Sequence, residues 1–127
     1  MNDTYKIKGK IFGHVGFVKS GKINLKDKGK AIINLNHRNN IERNHSATHL
    51  LHKSLKIILG EHVEQKGSLV DDTKTRFDFS HNKGMTSNEI KEVELIVNSE
   101  ILKNQSTQTK LMKIEEAQKE GAMMLFG

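Results

Sequence analysis

The sequence predicts an α+β protein: a small antiparallel β lobe over residues 1–36, then a mixed α/β domain over residues 37–127 in which a His-x-x-x-His helix and a second helix pack on a sheet. Three observations carry this. Apolar residues recur at helical three-and-four spacing over residues 44–59. Before them, residues 5–35 form short alternating runs broken by glycine, as strands joined by tight turns do. After them, Thr86-Ser87-Asn88-Glu89 is an N-terminal capping box that opens onto a second apolar stripe.

In the N-terminal lobe the expected strands are residues 5–8, 10–12, 15–18, 22–25 and 31–35, with turns at Gly13, Ser20-Gly21 and residues 27–29. A lobe of about 35 residues is too small to close and bury a barrel, so a partial β-barrel is expected, lacking strands that precede it. His14 reads as a strand-end or turn residue rather than a ligand.

The hand-over into the first helix is residues 37–40, and the helix is expected to begin as early as Arg38. Ala47, Leu51, Leu55, Ile58 and Leu59 form its apolar face, and Gly60 stands where a left-handed C-terminal cap belongs. Residues 62–65 and 66–70 are strand-like, residues 71–74 are a polar turn, and residues 75–80 alternate as a strand should. There Phe77 and Phe79 face the core. Arg76, Asp78 and Ser80 face the other side, toward substrate if that side is a cleft and toward solvent if it is not. In the second helix Ile90, Val93, Val97 and Ile101 are expected to be buried, with Lys91, Glu92 and Glu94 outside. The helical pattern fails near Lys103-Asn104. Residues 107–114 resemble a strand, residues 115–120 a short helix stopped by Gly121, and the apolar residues 122–127 are expected to need cover from continuing structure.

Composition narrows the function. The 127 residues are 35% hydrophobic and 5% aromatic, with a net charge of +6 carried mainly by lysine. A positive excess along the chain suits a polyanion such as nucleic acid, or simply keeps a lysine-rich protein soluble. There is no cysteine, hence no disulfide and no thiolate ligand. No apolar run is long enough to span a bilayer, and the first residues lack the apolar core of a signal peptide. A cytoplasmic setting with no membrane and no DNA partner is expected.

The chemistry gathers on the first helix. His45 and His49 are four apart and His52 three further on; at roughly 100° per residue they lie within about 60° of one another. Imidazoles at i and i+4 can converge on one metal ion, but two histidines do not complete a zinc site. Further ligands would come from His52, His62, His81, Asp78 or the glutamates. The alternative is local: His45 caps or hydrogen-bonds nearby while His52 lies beside the apolar face. A metalloprotease is excluded, since its motif needs glutamate directly after the first histidine and Ser46 stands there. Ser46, Thr48 and Ser68 lack the spacing of an activated nucleophile, and no glycine-rich phosphate cradle is present.

Taken together, these residues carry a resemblance. The run from Asn44-His45-Ser46-Ala47-Thr48-His49-Leu50-Leu51-His52 through Leu59-Gly60-Glu61-His62-Val63-Glu64-Gln65-Lys66-Gly67-Ser68-Leu69-Val70 to Arg76-Phe77-Asp78-Phe79-Ser80-His81 closely resembles the editing domain of bacterial alanyl-tRNA synthetase. The closing Glu115-Glu116-Ala117-Gln118-Lys119-Glu120-Gly121 and the apolar residues after it fit the same family. So do His14-x-Gly16 and Arg38-x-x-Ile41-x-x-Asn44-His45. The match covers nearly the whole chain from about residue 11.

The resemblance implies an internal slice of an enzyme that attaches alanine to its tRNA using ATP and magnesium, both bound elsewhere in the parent enzyme. It assigns residues 37–127 to the editing domain, truncated at its C-terminal end, which hydrolyses seryl- or glycyl-mischarged alanine tRNA. In that family one zinc ion is held by His-x-x-x-His and a later Cys-x-x-x-His. His45 and His49 match the first pair; the second pair is absent here, so this chain's zinc site is incomplete. Gln65 matches the pocket glutamine and Thr48 a pocket-shaping position, and these two are the expected catalytic residues. The implied partners are alanine-specific tRNA, at its acceptor end, and the remaining segments of the synthetase. The alternatives are a free-standing trans-editing deacylase, the related editing domain of threonyl-tRNA synthetase, and an inactive remnant that binds tRNA or a protein partner.

Overall fold

The structure, a computed structural model, describes residues 3–122. It forms two compact units, Met1–Ile32 and Ile33–Gly127. Residues 123–127, part of the apolar segment expected to need cover, lie outside the described residues.

The first unit contains one hairpin. Strand β1 (Asp3–Ile7) pairs antiparallel with β2 (Ile11–Val15), placing Tyr5 opposite Gly13 and Lys6 opposite Phe12. The turn falls at Lys8 and Gly9, both at positive φ (46° and 71°), and the Lys10 N–H donates to the Ile7 carbonyl at 3.2 Å. Two successive positive φ values suit the right-handed twist of this tight hairpin turn, in which Lys8, Gly9 and Lys10 join the paired Ile7 and Ile11. Gly13, expected as a turn, instead sits inside β2. A Cβ there would stand 3.1 Å from both the Tyr5 ring and Ile7 Cδ1, so glycine is needed for close approach across the strands rather than for bending. The strands expected at residues 15–18, 22–25 and 31–35 do not form: β2 ends at Val15, residues 16–34 are irregular, and Leu35 is helical. Short alternating runs are compatible with strands, but a strand exists only through a paired neighbour, and these segments have none among the described residues. A tight turn does form at residues 24–27, where the Asn24 N–H donates to Asp27 Oδ2 and the Asp27 N–H to the Asn24 carbonyl.

The second unit is built on helix α1 (Leu35–Leu59). It begins earlier than Arg38 because Asn34 caps it: its side-chain oxygen accepts from the His37 N–H at 3.1 Å. It ends at Gly60, whose N–H donates to the Lys56 carbonyl. Gly60 takes φ 114° and ψ 166°, a conformation outside the left-handed helical region but still reserved for glycine. Beyond it the antiparallel ribbon of β3 (Gln65–Val70) and β4 (Thr75–Phe79) packs on α1. Helix α2 (Ser87–Leu102) lies along α1. Its capping box is complete: the Glu89 N–H donates to Thr86 Oγ1 at 3.2 Å and the Thr86 N–H to Glu89 Oε2 at 2.7 Å. Those bonds from Thr86 hold the Glu89 carboxyl below its usual pKa, with the Lys83 charge adding to the effect.

Leu55, Val63 and Val93 are the buried centre, with Leu51, Ile58, Phe77, Phe79, Met85 and Val97 packed around them. The phenylalanines of β4 thus face inward as expected, while Arg76 and Asp78 pair with each other on the exposed side (Nε to Oδ2 3.1 Å). The stripe on α2 is half realised. Val93 is buried and Val97 half-buried, but Ile90 and Ile101 are 45% and 52% exposed, because α1 reaches only one edge of the stripe. Residues 105–113 are not a strand, and α3 (Ile114–Lys119) starts directly after them, with Gly121 following at φ 77°.

Removing the Leu55 side chain opens a cavity in this small core. Leu55→Ala is expected to lower the unfolding free energy by about 2–5 kcal/mol in urea titration, against less than about 1 kcal/mol for Ile57→Ala on the exposed side of α1. Equal losses from the two would contradict this placement of the core.

Candidate functional site

Successive turns of α1 present His45, Thr48, His49 and His52, and the structure sends them to three different places. His45 and His49 face each other near the surface, Nε2 to Nε2 at 3.3 Å, with ring centroids 4.8 Å apart and planes tilted by 58°. Burial lowers the pKa of His49, and positive charge on His45 and then His52 lowers it further. A neutral imidazole is the form that ligates metal. With Zn–N bonds of about 2.0–2.1 Å, two corners of a tetrahedral site lie about 3.3–3.4 Å apart. The observed separation is that edge length, so the pair fits half of a zinc site. Among the described residues no third His, Cys, Asp or Glu joins them.

Thr48 is buried between helix and ribbon. Its Oγ1 donates to the Asn44 carbonyl at 2.8 Å and lies 2.5 Å from Thr75 Oγ1, which is also 3.2 Å from the Leu69 carbonyl. One turn earlier, Asn44 Nδ2 donates to the Asp71 carbonyl at 2.8 Å. Asp71 in turn holds the 71–74 turn through Thr73 and Lys74, and its bonds from the Thr73 hydroxyl and N–H, then the Lys74 N–H, depress its pKa. Thr48 therefore works as a joint, its hydroxyl proton already committed within the protein.

His52 is not a third member of the histidine stripe. At 4% exposure it is a core residue, its ring 5.0 Å from that of Phe77 and its Nε2 3.5 Å from the Val63 carbonyl, the outer limit of a hydrogen bond. Three positions beyond His49 the helix has turned far enough to face the ribbon.

Gln65 opens β3. A bulge between Gln65 and Gly67 shifts the register, so that Gln65 stands opposite Phe79 and Ser68 opposite Phe77. Directly opposed residues share a face, and the Phe77 contact with His52 shows that this is the face toward α1. Gln65 Nε2 donates to Ser68 Oγ at 3.1 Å, while Oε1 is buried with no partner among the described residues. A buried acceptor left open inside a half-buried site is costly unless a donor arrives. At the bulge, a Cβ on Gly67 would meet Asp78 Oδ2 at 2.8 Å, which keeps this stretch of ribbon free of side-chain bulk.

A second histidine pair is formed by His62 and His81, Nε2 to Nδ1 at 2.9 Å with stacked rings. Spacing alone could not reveal it, because the two residues are 19 apart and meet only when the α1–β3 connection crosses the end of β4. Asp78, another candidate ligand, is taken by Arg76.

Comparison with known proteins adds the decisive observation. The chain is 54% identical over all of its 127 residues to the alanine–tRNA ligase of Polynucleobacter asymbioticus, and 57% identical over the same length to that of Dechloromonas aromatica. It is 53% identical over its whole length to the alanine–tRNA ligase of Herminiimonas arsenicoxydans. Over its whole length the chain is similar to an internal segment of these alanine–tRNA ligases. It spans only 14–15% of the length of these relatives. No protein-family model matches it.

The lowered pKa of His49 has a thermodynamic consequence. The folded chain holds the imidazole proton less tightly than the unfolded chain does, so the associated stability is present above the unfolded pKa of about 6.5 and is lost as pH falls through the lower folded value. Between pH 7 and pH 5 the urea midpoint of the native chain should therefore fall more than that of His49→Asn. A parallel fall in both proteins would show that His49 is not held neutral by its surroundings.

Proposed function

We infer that this segment is the part of alanine–tRNA ligase that hydrolyses wrongly charged alanine tRNA, with seryl and glycyl esters as substrates. The observation that carries the reading is the 3.3 Å approach of the His45 and His49 Nε2 atoms, matched to the edge of a tetrahedral zinc site, on a helix whose sequence resembles the editing helix of the family. His45 and His49 would hold two corners of one zinc ion, and the other two corners would come from ligase residues outside this chain. Bound zinc supplies Lewis-acid polarisation of a coordinated water or carbonyl oxygen.

The chain's own residues supply position and selection. Depression of the His49 pKa keeps its ring neutral and available as a donor. The Thr48–Thr75 and Asn44–Asp71 bonds fix the histidine-bearing turns against the ribbon, so Thr48 acts as a positioning residue. Gln65 offers its unpartnered Oε1 to a hydroxyl or ammonium donor on the aminoacyl group. A site built to pair such a donor discriminates by leaving a buried group unsatisfied when the donor is missing. Hydrolysis adds water across the aminoacyl ester, releasing the free amino acid and the terminal hydroxyl of the tRNA.

The test is deacylation of seryl-alanine tRNA by this chain mixed with the ligase segment that follows it. Hydrolysis and one bound zinc ion per complex are expected, both lost in His45→Ala. Gln65→Ala should retain zinc while slowing hydrolysis by about a hundredfold, the scale of one lost polar contact in a buried site. Zinc binding without hydrolysis in the native complex, or hydrolysis indifferent to His45, would contradict the reading.

A further inference from the structure

The positive charge is not spread along the chain. Eight lysines between Lys6 and Lys30 stand against only Asp3 and Asp27, so the unit Met1–Ile32 carries +6, the balance of the whole protein. Residues 33–127 hold 13 basic and 13 acidic residues and are neutral. The pairing follows the same division. The ion pairs found among the described residues lie in the second unit, and none involves a lysine of the first. An uncompensated lysine cluster carries a local potential that a solubilising mixture of charges does not.

The hairpin in this unit has two unlike faces. Its register puts Tyr5, Ile7, Ile11 and Val15 on one side, with the Tyr5 ring against Gly13. The other side carries Thr4, Lys6, Phe12 and His14. There Thr4 Oγ1 and His14 Nδ1 are hydrogen-bonded at 3.1 Å, Lys6 Nζ lies 5.8 Å from the centre of the Phe12 ring, and that ring is 64% exposed. An ammonium group, an open aromatic face and two small hydrogen-bonding groups on one narrow ribbon match the parts of a polynucleotide. The ammonium suits phosphate, the ring suits a base, and the imidazole and hydroxyl suit sugar oxygens or base edges. The neighbouring Lys8 and Lys10 lie in the turn at the end of the same ribbon.

We propose that the Thr4–Lys6–Phe12–His14 face of the β1–β2 hairpin, with Lys8 and Lys10 at its tip, is an RNA-contacting surface that takes the phosphate backbone and a stacked base of tRNA. The proposal rests on tRNA being the substrate of the site on α1, but it assigns the electrostatic grip to the other unit. The neutral unit that carries the histidines contributes selection, and the cationic unit contributes attraction.

The experiment is salt-dependent binding of the full chain to uncharged alanine tRNA. It compares the native chain, a Lys6→Gln, Lys8→Gln, Lys10→Gln triple variant, a Phe12→Ser variant, and a control triple of Lys53→Gln, Lys91→Gln and Lys113→Gln in the second unit. Each lost phosphate contact should lower the slope of log affinity against log salt by about 0.7–0.9, so the hairpin triple should lose about 2 from the slope and at least tenfold in affinity at about 100 mM salt. Phe12→Ser should lose about tenfold with the slope unchanged, and the control should stay within about twofold of native. Native-like binding by the hairpin triple or by Phe12→Ser, or an equal loss in the control, overturns the proposal while leaving tRNA as partner. Absence of tRNA binding by the native chain even at low salt overturns both.

Discussion

Everything in the second unit depends on how α1 is fastened to the β3–β4 ribbon. Beside a His37–Asp72 contact at 3.0 Å, two hydrogen bonds do it directly, one between the Thr48 and Thr75 hydroxyls and one from Asn44 to the carbonyl of Asp71, and both involve α1 residues interleaved with His45 and His49. One turn further on, His52 lies against Phe77, and the Leu55–Val63–Val93 core follows. Polar fastening at one end of the contact and apolar packing at the other leave the helix little freedom to roll. The orientation of the two surface imidazoles is therefore set by residues that need touch neither metal nor substrate.

This arrangement explains why four chemically suggestive residues on one helix have different duties. A helix advances by about 100° per residue, and the boundary between its buried and open sides separates His45 and His49 from Thr48 and His52. His45 and His49 remain outside with their nitrogens at ligand spacing. Thr48 and His52 are both inside, Thr48 with its proton committed and His52 half satisfied by a long contact to Val63. Gln65 reaches the same side of the ribbon because the bulge at Lys66 resets the register, leaving its Oε1 unpaired among the described residues.

Much of this was legible in the sequence. The capping box of α2, the inward phenylalanines of β4, the glycine stop after α1 and the pairing of His45 with His49 all follow from short-range rules about spacing and backbone conformation. The expectations that failed needed information about neighbours. Residues 22–25 and 107–114 alternate like strands but have no paired strand among the described residues. Ile90 and Ile101 share a stripe with Val93 but lie beyond the reach of α1. The His62–His81 pair joins residues brought together only by the fold. His52 could not be placed from spacing alone, since a 60° sector spans both sides of the helix boundary. The chain-wide balance of +6 conceals that one unit is strongly cationic and the other neutral.

The proposed zinc site draws its paired donors from His45 and His49 and from no other histidine of this chain. Imidazole nitrogen resonances followed by NMR as zinc is added to the chain test it most directly. The account predicts concerted shifts at the Nε2 atoms of His45 and His49, with His52, His62 and His81 unmoved. Zinc-dependent shifts centred on His62 and His81, with His45 and His49 silent, would contradict it.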